Sequence, residues 1–162
     1  MSGADSTGQI LRAATNADAT AVTALVFAAL REHGLEPDPG GTDADLGDLE
    51  GHYLARGGSF EVLVDAASRE VIGSVGLMPC APPGSVELRK MYLAPSWRGR
   101  GLGRLLLEHA LRRARELGFT RVTLETASEL PRAVALYQKA GFKTCAAGHL
   151  AARCDQRMEL WL

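Results

Sequence analysis

Cysteine is scarce in this sequence, and a hydrophobic run long enough to span a bilayer is missing. The three cysteines, Cys80, Cys145 and Cys154, are an odd number at spacings that match no metal-binding motif, so we expect reduced thiols and a cytoplasmic location. The longest uncharged helical run, Ala19–Leu30, is too short for a transmembrane helix. The start of the chain carries Asp5 and no basic cluster, so no secretory signal is expected.

Length and composition are those of one soluble globular domain. With 162 residues, 46% of them hydrophobic and 23% charged, the chain can bury a core without disulfides or metals. We expect a single domain over residues 1–162, with residues 1–8 disordered. No internal repeat divides the sequence further.

Positive charge is concentrated in one segment of a nearly neutral chain. Residues 85–121 hold nine Lys and Arg against three Asp and Glu, whereas the other 125 residues hold nine against sixteen, which gives +6 and −7 and a total of −1. This asymmetry favours a local anionic ligand over general polyanion binding. Two groups of arginines differ: a solvated helix face is expected for Arg112, Arg113 and Arg115, and an anion-facing role for Arg98, Arg100 and Arg104.

Hydrophobic periodicity predicts paired strands in the first half of the chain and alternating strands and helices in the second. The predicted strands are Gln9–Ala13, Phe60–Val64, Val71–Leu77, Val86–Leu93, Arg121–Glu125, Phe142–Cys145 and Arg157–Leu162. The predicted helices are Ala17–Leu30 capped by Asn16, Thr42–Leu54 capped by Thr42, Leu102–Leu117 ending at Gly118, and Ser128–Ala140 capped by Ser128. This order predicts an α/β fold with a mixed sheet covered by helices.

The apolar pattern of the strand Val86–Leu93 slips by one residue. Its apolar positions are 86 and 88, then 91 and 93, so a regular strand cannot place both pairs on one face. A β-bulge would restore the common face and would leave backbone groups free for a ligand. The alternative is that Met91 and Leu93 face a helix on the other side of the sheet.

The stretch "WRGRGLGR", residues 97–104, combines three glycines with three arginines. Gly99, Gly101 and Gly103 allow backbone amides to approach an anion closely, and the helix that follows points its free amides at the same place. A strand, a glycine-rich turn and a helix N-terminus predict a phosphate cradle. The spacing fits neither a P-loop nor the dinucleotide fingerprint. The alternative is a turn with arginines for solubility.

The motif Arg98–Gly103, "RGRGLG", matches the Arg/Gln-x-x-Gly-x-Gly/Ala signature of the GCN5-related N-acetyltransferases (GNAT). The preceding "ELRKMYLAP" and the later "PRAVALYQKAGF" resemble that family's neighbouring segments in order and spacing, so the resemblance covers Val86–Phe142. It implies αβα layers with a splayed mixed sheet and helices on both faces. It also implies direct transfer of an acetyl group from acetyl-CoA, the co-substrate, to an amine of a small molecule or peptide.

The resemblance assigns roles to particular residues. Backbone groups of Met91, Tyr92 and Leu93 would meet the pantetheine, and the amides of the glycine loop would hold the pyrophosphate. The remaining cofactor-binding residues that it implies are Arg98, Gly99, Arg100, Gly101, Leu102, Gly103, Arg104 and Ala133. A departure from the family pattern is Leu130, where many members place an asparagine that touches the cofactor.

Two residues are candidates for the acid and base of this reaction. Tyr137 stands where the family has a tyrosine that protonates the leaving thiolate, although its apolar helix face is equally consistent with a core residue whose hydroxyl is paired. Glu87 stands at a position used as the base in related histone acetyltransferases, or it is an exposed strand glutamate. Glu125 on the next strand, or a water, is the other candidate base.

Other functions are considered beside this one. A non-catalytic acyl-CoA-binding module and a nucleic-acid-binding domain are the alternatives. Two observations argue against nucleic-acid binding: the aromatic residues Tyr92, Trp97 and Phe119 form no stacking platform, and the pI is about 6.4. The histidines show no metal spacing, and neither a metal nor a membrane partner is expected. We expect a monomer or homodimer.

The segment Glu36–Glu50 carries six acidic residues and no basic one, which suggests a cationic amine acceptor or a solvated loop.

Overall fold

A computed structural model describes residues 3–4 and 8–162 of the chain. The strands are β1 Gly3–Ala4, β2 Gln9–Ala13, β3 Ser59–Asp65, β4 Val71–Cys80, β5 Ser85–Leu93, β6 Arg121–Thr126, β7 Lys143–Thr144 and β8 Gln156–Trp161. The α-helices are α1 Ala19–Glu32, α2 Leu49–His52, α3 Leu102–Glu116 and α4 Pro131–Ala140. None of the helices in the described part of the chain is long and apolar enough to cross a bilayer.

The strands form one mixed sheet in the order β1-β2-β3-β4-β5-β6-β8-β7. All neighbours are antiparallel except β5 and β6, which run parallel. That parallel pairing covers only Ser85–Glu87 on β5 and Arg121–Thr123 on β6, although both strands continue beyond it. The sheet therefore opens between β5 and β6, as the resemblance implied.

Helices cover both faces of the sheet and give it two hydrophobic cores. On one face α3 buries Leu106, Ala110 and Ala114 against the central strands, and Tyr137 of α4 belongs to the same core. On the other face α1 packs with the buried side chains of the segment that follows it, among them Tyr53. The predicted α/β fold with helices on both faces is confirmed.

The predicted bulge in β5 is present. Ser74 of β4 lies opposite Tyr92, and Gly76 lies opposite Arg89, so β5 uses one residue more than β4 over this stretch. Lys90 takes up the extra residue with φ of +55°, a left-handed conformation that is uncommon outside glycine. The bulge explains the slip in the apolar pattern of this strand.

The predicted helix Thr42–Leu54 is wrong. This segment forms a 3-10 turn at Ala44–Gly47, the single α-helical turn α2, and a second 3-10 turn at Leu54–Arg56. The continuous helix is interrupted at Asp48, whose backbone has φ of −150° and whose carboxylate accepts a hydrogen bond from the amide of Gly51. Asp48 is thus the N-cap of a new turn, since a capping aspartate has a non-helical backbone.

The predicted starts of two helices are also wrong. Ser128 does not cap α4, because its amide and its hydroxyl both donate to Asp155, and α4 begins three residues later at Pro131. At the other helix the residue in the N-cap position of α1 is Asp18, not Asn16; Thr15 caps the short turn before it, and its amide donates to Asp18 at 2.9 Å. A 3-10 turn at Asn16–Asp18 precedes α1.

The expectation of disorder over residues 1–8 falls mainly outside the described residues and stays a prediction. Of those eight residues the structure describes Gly3–Ala4, which pairs with β2, and Gly8.

Candidate active site

A cavity of about 390 Å³ opens where β5 and β6 separate. It is bounded by β5, the end of β6, the glycine loop at the start of α3, and α4. Of the residues predicted from sequence, those lining it are Glu87, Met91, Tyr92, Leu93, Arg98, Gly99, Gly101, Gly103, Arg104, Ala133 and Tyr137, together with Glu125 and Leu130. Arg100 and Leu102 do not line it.

The glycine loop presents backbone to this cavity. Gly99 and Gly101 have φ of +77° and +79°, and a Cβ at either would meet no atom within 4 Å. A Cβ at Gly103 would lie 3.6 Å from Leu136 and 3.7 Å from Leu93, so this glycine forms part of the cavity wall. Because α3 begins at Leu102, the first amides of the helix are directed toward the same space. The loop has the geometry of an anion cradle.

The arginines of the loop are engaged by the protein itself. The guanidinium of Arg98 donates to the carbonyl of Leu93 at 3.0 and 3.2 Å and to Glu32 at 2.9 Å. Arg100 lies over the ring of Trp97, and Arg104 pairs with Glu108 at 2.7 Å on the exposed surface. The anion cradle therefore consists mainly of backbone amides, and Arg98 fixes the loop to the end of β5.

The edge of β5 that faces β6 offers backbone groups to the cavity. Among the described residues its pairing with β6 ends at Glu87, so the stretch from Leu88 to Leu93 has no strand partner on that side. Met91, Tyr92 and Leu93 lie on this open edge. The carbonyl of Leu93 is already occupied by Arg98.

Glu87 is a largely buried carboxylate at the end of the cavity away from the glycine loop. Its nearest charged partner is Arg89, whose Nε lies 3.2 Å from Oε1. Burial raises the pKa of Glu87, Arg89 opposes this shift, and the negative charge of Glu125 across the gap between the strands adds to it. A raised pKa makes this carboxylate a stronger base than an exposed glutamate.

Tyr137 enters the cavity from α4. Its ring is buried and packs on Phe142 at 5.8 Å between centroids, while its hydroxyl has no hydrogen-bond partner among the described residues. Burial, and to a smaller extent the neighbouring Tyr92, raises its pKa well above the ordinary value of 10. The phenol is therefore protonated at neutral pH and can act as a proton donor.

Cys154 is the one cysteine that lines the cavity. Burial raises the pKa of its thiol to about 11, so the thiolate is scarce at neutral pH. A thiol with a raised pKa is a poor nucleophile at neutral pH.

A buried ionic cluster that the sequence did not reveal borders the cavity. Asp43 is fully buried and binds Lys90 Nζ at 2.5 Å and Arg153 at 2.6 and 2.7 Å. Asp45 is also buried, accepts a hydrogen bond from Tyr53, and lies 3.5 Å from Lys90. The acid-rich segment Glu36–Glu50 thus directs two of its carboxylates inward. Lys90 is 47 residues from Asp43 and Arg153 is 110, so no local pattern could indicate these pairs.

Comparison with known proteins decides the family. The model of the acetyltransferase (GNAT) family matches residues 27–142. The chain belongs to this family. The resemblance inferred from the sequence is confirmed, and this GNAT protein is an acyltransferase by its family and by the N-acetyltransferase names of its relatives.

The GNAT chain has similar relatives in bacteria. It is 37% identical over 138 residues to the uncharacterised N-acetyltransferase YjgM of Escherichia coli K12, a match that covers 83% of this chain and 81% of the relative. A GNAT acetyltransferase from Staphylococcus aureus Mu50 has a TM-score of 0.86 at 18% identity over 93% of this chain and 97% of that one. YncA of Salmonella typhimurium, solved with its cofactor acetyl-CoA, has a TM-score of 0.73 at 22% identity over 95% and 94%. The two structures share this fold.

Proposed function

We propose that this protein transfers the acetyl group of acetyl-CoA directly to an amine of a small molecule or peptide. The observation that carries the proposal is the convergence of an amide-lined loop, an unpaired strand edge, a carboxylate and an unpartnered phenol on one cavity. The binding of acetyl-CoA by the similarly folded YncA adds support.

The cavity suits acetyl-CoA at one end. The backbone of Gly99, Gly101 and Gly103 fits a pyrophosphate, because no side chain fills the space in front of Gly99 and Gly101. The open edge of β5 at Met91–Leu93 would hold the pantetheine arm, and Ala133 of α4 leaves room beside it. When bound, acetyl-CoA supplies an acetyl thioester as the electrophile.

Glu87 and Tyr137 supply the proton transfers. Glu87 accepts a proton from the attacking amine, since its raised pKa brings it closer to the pH at which amines react. Tyr137 donates its phenolic proton to the departing sulfur, and a backbone amide on the open edge of β5 stabilises the negative charge on the acetyl oxygen. The amine approaches from the end of the cavity bounded by Thr42, Glu87, Arg89, Glu125, Arg153 and Cys154, which we call the acceptor end.

A turnover screen tests this function. The full chain is incubated with acetyl-CoA and separate sets of amino acids, polyamines, aminoglycosides and peptides, and free thiol and acetylated product are measured together. Release of CoA with matching acetylation of an amine is expected. Calorimetric binding of acetyl-CoA without acetylation of any amine would favour the non-catalytic acyl-CoA-binding alternative.

A further inference from the structure

Three segments of the chain meet at one carboxylate beside the acceptor end. Asp43 lies in the loop after α1, Lys90 in the bulge of β5, and Arg153 in the loop before β8. The side chains of Asp43 and Lys90 are 0% and 4% exposed, and that of Arg153 is 13% exposed. Asp43 also accepts the amide of Asp38 at 2.8 Å, so it fixes its own loop as well as the other two segments.

The bulge makes this arrangement possible. Successive side chains of a regular strand point to opposite faces, yet Arg89 and Lys90 both donate to the carbonyl of Thr42, at 2.9 and 3.2 Å. The left-handed backbone at Lys90 turns its side chain to the same side as that of Arg89. The loop carrying Thr42 and Asp43 is therefore held on β5 by two consecutive cations.

The carboxylate of Asp43 is stabilised in its ionised form by its partners in the cluster. Burial alone would raise the pKa of Asp43, but hydrogen bonds from Arg153, Lys90 and the Asp38 amide outweigh burial and hold the pKa well below 3.8. Because two cations neutralise it, Asp43 presents no free negative charge to an acceptor. Its contribution is to the placement of Thr42, Arg153 and Cys154, which line the acceptor end.

We propose that Asp43 is a positioning residue for acceptor binding: it joins the loops around residues 42 and 153 to the β5 bulge and so shapes the acceptor end of the cavity. This inference rests on the proposed function for its kinetic consequence. Among the described residues no hydrogen bond or ion pair joins the glycine loop to the cluster, whose carboxylate binds Lys90 and Arg153, and acetyl-CoA binding is therefore expected to be independent of the cluster.

The test compares two buried aspartates in the full chain. Asp43→Asn keeps the shape of the side chain and removes its charge. Asp18→Asn is the matched control, because Asp18 is buried and pairs with Arg12 through both oxygens at 2.8 and 2.9 Å outside the cavity. With the acceptor found in the screen, Asp43→Asn should raise the acceptor KM between about tenfold and 10²-fold and leave the Kd of acetyl-CoA unchanged. Asp18→Asn should change neither.

A second measurement does not depend on turnover. The alkylation rate of Cys154 by iodoacetamide, followed by mass spectrometry, should rise in Asp43→Asn and not in Asp18→Asn, because the loop of Arg153 is released. If Asp43→Asn does not fold, Arg153→Met takes its place, since it removes one partner and keeps the pair of Asp43 with Lys90.

The outcomes separate this inference from the proposed function. An unchanged acceptor KM, or an equal loss of acetyl-CoA affinity, would overturn the positioning role. If the wild-type protein acetylates no amine, the proposed function fails, and the alkylation of Cys154 alone tests the positioning role. A rate in Asp43→Asn equal to that of the wild type overturns this role, and a faster rate supports it.

Discussion

At the scale of single residues, Glu87 is expected to carry the base function. Glu87→Gln should lower kcat by about 10²–10⁴, because the amide cannot take a proton from the amine, and should leave acetyl-CoA affinity unchanged. Steady-state kinetics and calorimetry on one preparation measure both. Glu159→Gln is the control, since Glu159 is also a strand glutamate paired with an arginine, Arg121, but lies outside the cavity. Near-normal turnover across pH would transfer the role to Glu125 or water.

Glu125 is expected to contribute to the pH dependence of Glu87. Glu87 must be ionised to act as a base, so kcat/KM should fall on the acid side as pH drops through its pKa. Burial is the main cause of the raised pKa of Glu87 and the charge of Glu125 adds to it, so Glu125→Gln should lower this pKa and move the acid limb to lower pH. Glu125→Asp keeps the charge and serves as the control. A limb that stays in place in Glu125→Gln would mean that another group controls it.

Removal of the hydroxyl of Tyr137 and removal of that of Tyr53 are expected to have opposite effects on turnover and stability. Tyr137→Phe should lose turnover and keep its melting temperature, because the hydroxyl has no partner among the described residues. Tyr53→Phe should lose stability by about 1.5–3 kcal/mol, since that buried hydroxyl donates to the carboxylate of Asp45. Melting curves and turnover numbers of both variants check this. A destabilised Tyr137→Phe with normal turnover would make Tyr137 a core residue only.

At the scale of elements, the glycine loop can be tested against another glycine of similar backbone. Gly101→Val should weaken acetyl-CoA binding by about tenfold or more, about 1.4 kcal/mol, because the side chain obstructs the approach to the loop amides. Gly118 at the end of α3 also has positive φ, +88°, with no atom near its missing Cβ. Gly118→Val should therefore lower the melting temperature alone. Equal affinities in calorimetry would contradict the cradle.

Local patterns were sufficient to predict α3, the glycine loop and the β5 bulge, because periodicity and turn chemistry act over a few residues. The helical spacing of Leu46, Leu49 and Tyr53 within the predicted helix Thr42–Leu54 is typical of a buried helix face, and all three side chains are at most 1% exposed. It wrongly indicated one helix, because three short turns bury the same side chains once Asp48 caps a new turn. Hydrophobic spacing specifies the buried face more strongly than it specifies the backbone.

The candidate site was predicted where the stretch 87–104 carries it or where the family resemblance assigned a role, as it did for Ala133 and Tyr137. Glu87, Met91–Leu93 and the glycine loop lie within the stretch 87–104, and the structure brings them to one cavity. The pairing of Asp43 with Lys90 and Arg153 depends on tertiary placement over 47 and 110 residues. The sequence showed Glu36–Glu50 only as an acidic segment, and its inward-facing carboxylates could not be distinguished from solvated ones.

At the scale of the whole molecule, the buried cluster links stability to pH. The pKa of Asp43 in the folded protein lies below its ordinary 3.8, so its stabilising contribution is complete above about pH 3.8 and is lost as pH falls toward the folded value. The free energy of unfolding of the wild type should therefore decrease on acidification below about pH 4. Asp43→Asn should show a flatter dependence in urea titrations at several pH values. Equal slopes would mean that the carboxylate is not held ionised.

Because of the extra residue in β5, the cavity depends on the exact number of residues in this strand. Deletion of Lys90 would give β5 and β4 equal numbers of residues between their paired positions and would restore a regular ladder of hydrogen bonds. It would keep Met91 and Leu93 on the same face as Val86 and Leu88, but it would remove the cation that holds Asp43. A shorter and more regular strand would thus make a better sheet while releasing the loop of Thr42 and Asp43 from the acceptor end of the cavity.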